Sequence, residues 1–154
     1  MKTFLLWISL SMSAAMCFGQ PFVGGKEYSS DSLLLYNAYL TFRENGISGI
    51  CALKVGSNGI SGTLVNEFGI KAMDFTFKKG DKRVRISNVI PFLNKWYIRK
   101  IIVSDLTSFF LAKDDVKDRR RHISVAKNGD LFLENKRYRI SYHFIPIKQN
   151  GSTQ

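Results

Sequence analysis

Histidine, cysteine and proline are scarce in this chain: two, two and three among 154 residues. That scarcity excludes much chemistry. No metal-ligand spacing joins His122 and His143 to Cys51 or to an acidic pair, so neither a metal centre nor a cofactor is expected. No Ser/His/Asp arrangement can be read from spacing, and the chain reads as non-catalytic. Asp114 and Asp115 stand in a charged connection and read as solvated. Glu67 and Asp74 lie near a strand pair and read as turn contacts or salt bridges rather than as a buried acidic pair. Acids are few as well, 12 against 23 Lys and Arg, which leaves a net charge of +11. A protein this basic is drawn to anionic surfaces.

Long apolar runs are also missing. The one candidate, "FLLWISLSMSAAM" from Phe4 to Met16, follows Lys2 and has the length of a secretory h-region, too short for a membrane span. Residues 1–19 are therefore expected to be a signal peptide, followed by one domain over 20–146 and a loose tail over 147–154. Export takes nucleic acid off the partner list and leaves anionic membrane surfaces. Cys17 has two readings. It is either acylated at the end of the leader or removed with it, since a cut after Gly19 leaves small residues at both positions a signal peptidase reads. Ala14 and Met16 make a poor lipobox. Once the leader is gone only Cys51 remains, which precludes an intrachain disulfide. It lies on the apolar side of an expected strand, as a packed thiol would.

What the chain does have is turn chemistry and alternation. "NGISG" occurs twice, from Asn45 and from Asn58. Asn-Gly between alternating runs is a hairpin signal, because a type I′ turn needs positive φ at both central residues. Turns are expected at Asn45-Gly46, Asn58-Gly59, Gly80-Asp81, Asn128-Gly129 and Glu134-Asn135. A phosphate-binding loop would lead into a helix, and neither copy does. Between turns the period is two. Tyr36, Ala38, Leu40 and Phe42 share a face, as do Ile47, Cys51, Leu53 and Val55, and Tyr138, Ile140, Tyr142 and Phe144. Gly49, Gly62 and Gly69 sit in or beside strands, where glycine marks bends or bulges.

After Pro91, which suits a first helical position, the spacing turns helical up to Ala112. This predicts one amphipathic helix of roughly 20 residues, about 30 Å long. About eight strands at ~4.8 Å spacing make a sheet nearly 40 Å wide, which such a helix cannot cover. Either the sheet curls over an apolar hollow under a helical lid, or its core is filled. The expected fold is α+β, a curled antiparallel sheet (an incomplete β-barrel of about eight strands) enclosing one main amphipathic helix.

The segments "ISGICALKV", "NEFGIKAMDFTF" and "VRISNVIPFLNKWYIRKIIVSDLTSFFL" resemble a group of small exported Gram-negative envelope proteins. These in turn look like the lipoprotein-localisation factors, the periplasmic carrier and its outer-membrane receptor (LolA/LolB-like). The resemblance covers about half of the chain beyond the leader, with a looser topological match at the C-terminus. It implies an incomplete antiparallel barrel with a helical lid over a cavity for acyl chains. It also implies a place in the periplasm or on the periplasmic face of the outer membrane.

The wall of such a cavity would come from Leu53, Leu64, Met73, Phe75 and Ile86, and the lid from Trp96, Ile101 and Phe109. The same aromatics would serve ordinary core packing. Arg119, Arg120 and Arg121 would touch anionic headgroups, or form a solvated loop tip. The expectation is a monomer that binds or shuttles lipid acyl chains or lipoproteins. The competing class is a structural or interaction module of an envelope complex, with a filled core and no ligand.

Overall fold

The computed structural model describes residues 22–23, 26–27, 31–112, 116–117 and 119–148. The expected leader with Cys17, the acids Asp114 and Asp115, and tail residues 149–154 lie outside the described residues. Two short strands, β1 (Phe22–Val23) and β2 (Lys26–Glu27), pair with each other. A five-strand meander follows: β3 (Ser32–Phe42), β4 (Asn45–Gly56), β5 (Gly59–Asn66), β6 (Lys71–Lys78) and β7 (Arg85–Ser87). Helix α1 (Trp96–Leu111) leads to a second meander, β8 (Val116–Lys117), β9 (Arg121–Val125), β10 (Leu131–Asn135) and β11 (Ile140–Pro146).

The last strand pairs with the first long one, so the order across the sheet is β7-β6-β5-β4-β3-β11-β10-β9-β8. Every neighbouring pair is antiparallel. The fold is α+β, an antiparallel sheet of nine strands (eight without the two-residue β8) whose edge strands do not join. The chain leaves one edge of the sheet for α1 and rejoins it at the other.

Alternation puts one face of every long strand into the core. Tyr36, Ala38 and Leu40 stand opposite Cys51, Gly49 and Ile47; Phe144, Tyr142 and Ile140 stand opposite Ala38, Leu40 and Phe42. Ile98, Ile102, Leu106, Phe109 and Phe110 of α1 are buried. Phe110 meets Phe75 and Phe77 at 5.9 Å between ring centres, and Phe109 meets Phe144 at 6.0 Å. Val23, Val84 and Leu93 are fully or almost fully buried as well. Cys51 is one of the core residues, and burial pushes its thiol up to about 12, which makes it inert.

The helix is shorter than the spacing predicts, 16 residues rather than roughly 20. Pro91 opens a turn in which Leu93 and Asn94 donate to the carbonyl of Ile90, and Lys95 is still extended at ψ 133°. Three turns are also displaced. The β3–β4 hairpin turns at Arg43-Glu44, with Phe42 opposite Asn45 and a positive φ of 53° at Arg43, so Asn45-Gly46 begins β4. The β4–β5 hairpin turns at Ser57-Asn58, with Gly56 opposite Gly59. Glu134-Asn135 lies in β10, and the turn comes after it, before Ile140 pairs with Asn135. Tyr138 therefore sits in that turn and not on the last strand. Gly80 and Gly129 do occupy turns, at φ 85° and 91°.

Two strand glycines are required by close approach. A side chain at Gly62 would occupy the space of the Phe75 ring and of Leu53, and one at Gly49 would run into the β5 backbone at Val65 and Asn66. The β5–β6 register shifts between Leu64 and Val65, beside that contact. Gly46, by contrast, has ordinary contacts and no positive φ. Gly49→Ala should therefore cost about 1–3 kcal/mol or more through overpacking. Gly46→Ala should stay within about 0.5 kcal/mol. Urea unfolding midpoints check both, and a large loss at Gly46 would place the turn at Asn45-Gly46 after all.

Candidate functional site

The residues expected to wall a cavity do not surround one. Leu53, Leu64, Met73, Phe75, Ile86 and Phe109 are buried core residues packed on one another. The voids between sheet and helix amount to about 10 Å³ each, one lined in part by Leu64, Met73 and Phe75, the other by Leu53, Phe75 and Phe109. That is room for about one water, whereas ligand pockets run to ~300–1,000 Å³. The two remaining lid residues lie elsewhere. Trp96 is 77% exposed, and Ile101 is half-buried beside it on the wall of an open cleft.

Beneath that cleft is a buried polar cluster. Ile98, Ile102, Asp105 and Phe109 are spaced four, three and four along α1, so Asp105 falls in the middle of the apolar stripe and is fully buried. Its Oδ1 accepts from Arg121 Nε at 2.8 Å and Asn135 Nδ2 at 2.7 Å, and its Oδ2 from the Tyr142 hydroxyl at 3.2 Å. Arg121 Nη2 also donates to Ser104 Oγ at 2.7 Å. Burial pushes the Asp105 carboxyl above the usual carboxylate range; the contacts from Arg121, Asn135 and Tyr142 pull part of that back. Burial, with Asp105 beside it, holds the Tyr142 phenol well above its ordinary value. A carboxylate pinned by three donors with no room for a substrate is a structural anchor.

The cleft itself measures about 590 Å³. It is assembled from the β3–β4 turn, α1, the start of β9 and the β10–β11 turn. Arg43, Lys100, Arg120, Arg121 and Arg137 supply five cations to its lining, which includes no Asp or Glu among the described residues. Phe42, Trp96, Tyr97 and Tyr138 supply aromatic surface. Arg43 lies over the Phe42 ring at 5.5 Å and Arg137 over the Tyr138 ring at 5.3 Å. The Arg43 amide donates to the Arg139 carbonyl at 3.0 Å, tying two of these turns together.

The β5–β6 turn is at this same end of the sheet, since Asn66 pairs with Gly49 near the start of β4. Of the nine exposed large apolar residues among the described ones, five are at this end: Phe68, Ile70, Trp96, Tyr97 and Tyr138. A smaller cleft of about 210 Å³ at the other end mixes Lys78, Lys79 and Asp81 with Ile60 and Leu111.

The basic run therefore divides. Arg119 and Arg120 are exposed just before β9, with Arg120 at the cleft, while Arg121 is half-buried and tied to Asp105. Among the other acids, Glu67 accepts from the Ser48 hydroxyl at 3.1 Å. Asp74 accepts from Thr63, Lys71 and Asn88 on the opposite face of the sheet. Partial burial raises its carboxyl, but the contacts from Asn88, Thr63 and Lys71 together hold it below the usual range. Among the described residues no three His, Cys, Asp or Glu side chains converge to hold a metal, and no helix is long and apolar enough to cross a membrane.

Compared with known proteins, the chain matches no family model and no curated sequence at a significant level.

Asp105→Ala removes the buried carboxylate that accepts from Arg121, Asn135 and Tyr142. It should cost about 3–5 kcal/mol in urea unfolding, and a loss under ~1 kcal/mol would remove the cluster's anchoring role. The raised carboxyl also fixes a sign. The folded state takes up this proton at higher pH than the unfolded chain, so the group's contribution to stability grows as pH falls from the raised value towards the ordinary one. Measured against Asp105→Asn, which cannot titrate there, the wild type should gain stability through that window.

Proposed function

We propose that this chain is a non-catalytic, exported envelope protein that binds lipid at an anionic membrane surface through one end of its sheet. In this reading the sheet bends round α1 as an incomplete barrel whose interior serves as scaffold. The lipid-handling role implied by the resemblance to the localisation factors then belongs to the open end, where there is room, rather than to the core.

The observation that carries the reading is the coincidence at that end of exposed aromatics and cations. Trp, Tyr and Phe rings favour the headgroup boundary, where their apolar bodies insert and their polar edges stay wet. Each Lys or Arg near an anionic surface adds on the order of 1 kcal/mol. Arg119 and Arg120 extend the same basic rim. The filled core also suits an interaction module whose partner is a protein, and the lipid experiment separates the two classes.

The purified protein should sediment with phosphatidylglycerol vesicles, far less with phosphatidylcholine vesicles, and less as salt screens the cations. Phe68→Ser and Trp96→Ser, both at exposed positions, should each lower partitioning by about tenfold, from the apolar surface no longer inserted. Equal sedimentation with both lipids, none with either, or indifference to both substitutions would decide for the protein-interaction module.

A further inference from the structure

Arg121 belongs at once to the core and to the cleft wall. Its Nε donates to Asp105 Oδ1 at 2.8 Å, and its side chain lines the cleft together with Lys100 and Trp96. The two partners differ in access. The Arg121 side chain is 22% exposed, the Asp105 side chain 0%. An anion arriving from outside can therefore meet this guanidinium but not the carboxylate behind it. The two would draw on one cation from opposite sides. We propose that Asp105 and the anionic membrane surface compete for Arg121, so that proton uptake by Asp105 hands the guanidinium to the cleft and strengthens docking. The switch rests on the surface reading above and adds how that surface is regulated.

The surroundings of Asp105 support this. Arg121 faces it from β9, Asn135 from β10 and Tyr142 from β11, while Ser104 beside it on α1 takes Arg121 Nη2 at 2.7 Å. Arg43, Lys100, Arg120 and Arg137 stand around the cleft above. His122 and Glu134 pair across the outward face of β9 and β10 and do not face the carboxylate. Of the three donors on Asp105, Arg121 alone is a cation. A charge-assisted hydrogen bond is about twice as strong as a neutral one, so neutralising Asp105 weakens the hold on Arg121 most. Asn135 and Tyr142 are neutral and can bond the acid in either state. Arg121 makes a further contact besides these; the exchange concerns only its bond to Asp105.

Burial pushes the Asp105 carboxyl above the usual carboxylate range, so it takes up its proton before an ordinary exposed acid does. Linkage makes the effect reciprocal: a surface that draws Arg121 away raises the Asp105 carboxyl further.

Binding of the full chain to phosphatidylglycerol vesicles should strengthen by about fivefold as pH falls through the raised Asp105 value, the effect of one further cation at the surface. Asp105→Asn should bind at neutral pH as tightly as the wild type does in acid, and should lack that step. The difference between the two proteins cancels the titration of every other group. Asp105→Asn combined with Arg121→Gln restores the wild-type net charge. It should bind as the wild type does at neutral pH, again without the step. Equal binding by Asp105→Asn and the double variant would show that Arg121 is not the lever and overturn the switch.

A lipid-free measurement on the wild type guards against variants that fold poorly. In NMR, the Arg121 Nε proton should lose its protection from solvent exchange, referred to the exposed Arg43 in the same sample, with the midpoint of the Asp105 carboxyl signal. Protection that persists below that midpoint overturns the switch whatever the vesicles do. Sedimentation that is the same in all three proteins at every pH overturns the switch and leaves surface docking standing. No sedimentation at any pH overturns both.

Discussion

The carboxylate of Asp105 is the point at which the second half of the sheet is joined to the helix. The first meander, β3 to β7, holds α1 by stacking Phe75 and Phe77 on Phe110 and by a hydrogen bond from the Val84 amide to Thr107 Oγ1. The second, β8 to β11, holds it largely through Asp105, which takes donors from β9, β10 and β11 at once. Apolar residues of similar volume would fill the same space at no loss of stability, because burying a charge costs about as much as its pairing returns. What a polar cluster adds is discrimination. Only one rotation and one axial position of α1 bring the carboxylate within reach of Arg121, Asn135 and Tyr142 together. Any other leaves an ionised group in the core at a cost of several kcal/mol.

The same contact links core to surface. Arg121 is half-buried: one part of its guanidinium neutralises Asp105, and the side chain also lines the cleft. The acid that pairs with this cation lies below the cleft floor.

Alternation made the strands legible. The inward residues of β3, β4, β5, β10 and most of β11 are those the period of two selects, and the change of period after Pro91 marks α1. The hairpin turns were less legible, for a definite reason. The inward positions of β3 are even-numbered and those of β4 odd-numbered, as are those of β5 and β6 respectively. Any two-residue turn pairs an even residue with an odd one, so alternation fixes the parity of the loop but not its position. Asn-Gly propensity then pointed to Gly46 and Gly59. The tight contact at Gly49 and the Phe75 ring over Gly62 fit only the register seen, and both are long-range facts.

Asp105 was not singled out, although its spacing from Ile102 and Phe109 puts it on the apolar stripe, where an acid has to find donors inside. The cleft was not legible, because its walls come from four segments that meet only after the sheet has formed.

Covering a wide sheet with one narrow helix poses a problem of area, and the structure meets it without leaving a hollow. Rings do much of the filling, with Tyr36, Phe75, Phe109, Phe110 and Phe144 in contact across the core. The segment between β7 and α1 adds Leu93, with Val89, Ile90 and Phe92 packed at its margin, and β1 adds Val23. Each of these closes sheet surface that α1 alone would leave open. With the interior occupied in this way, Leu33, Tyr39 and Ile50 are exposed on the strands themselves, and Phe68, Ile70, Trp96, Tyr97 and Tyr138 at one end of the sheet. The end that carries these five exposed apolar residues also carries the cations of the cleft. Turn residues and the first turn of α1 build that end, and the filled core leaves them free to vary.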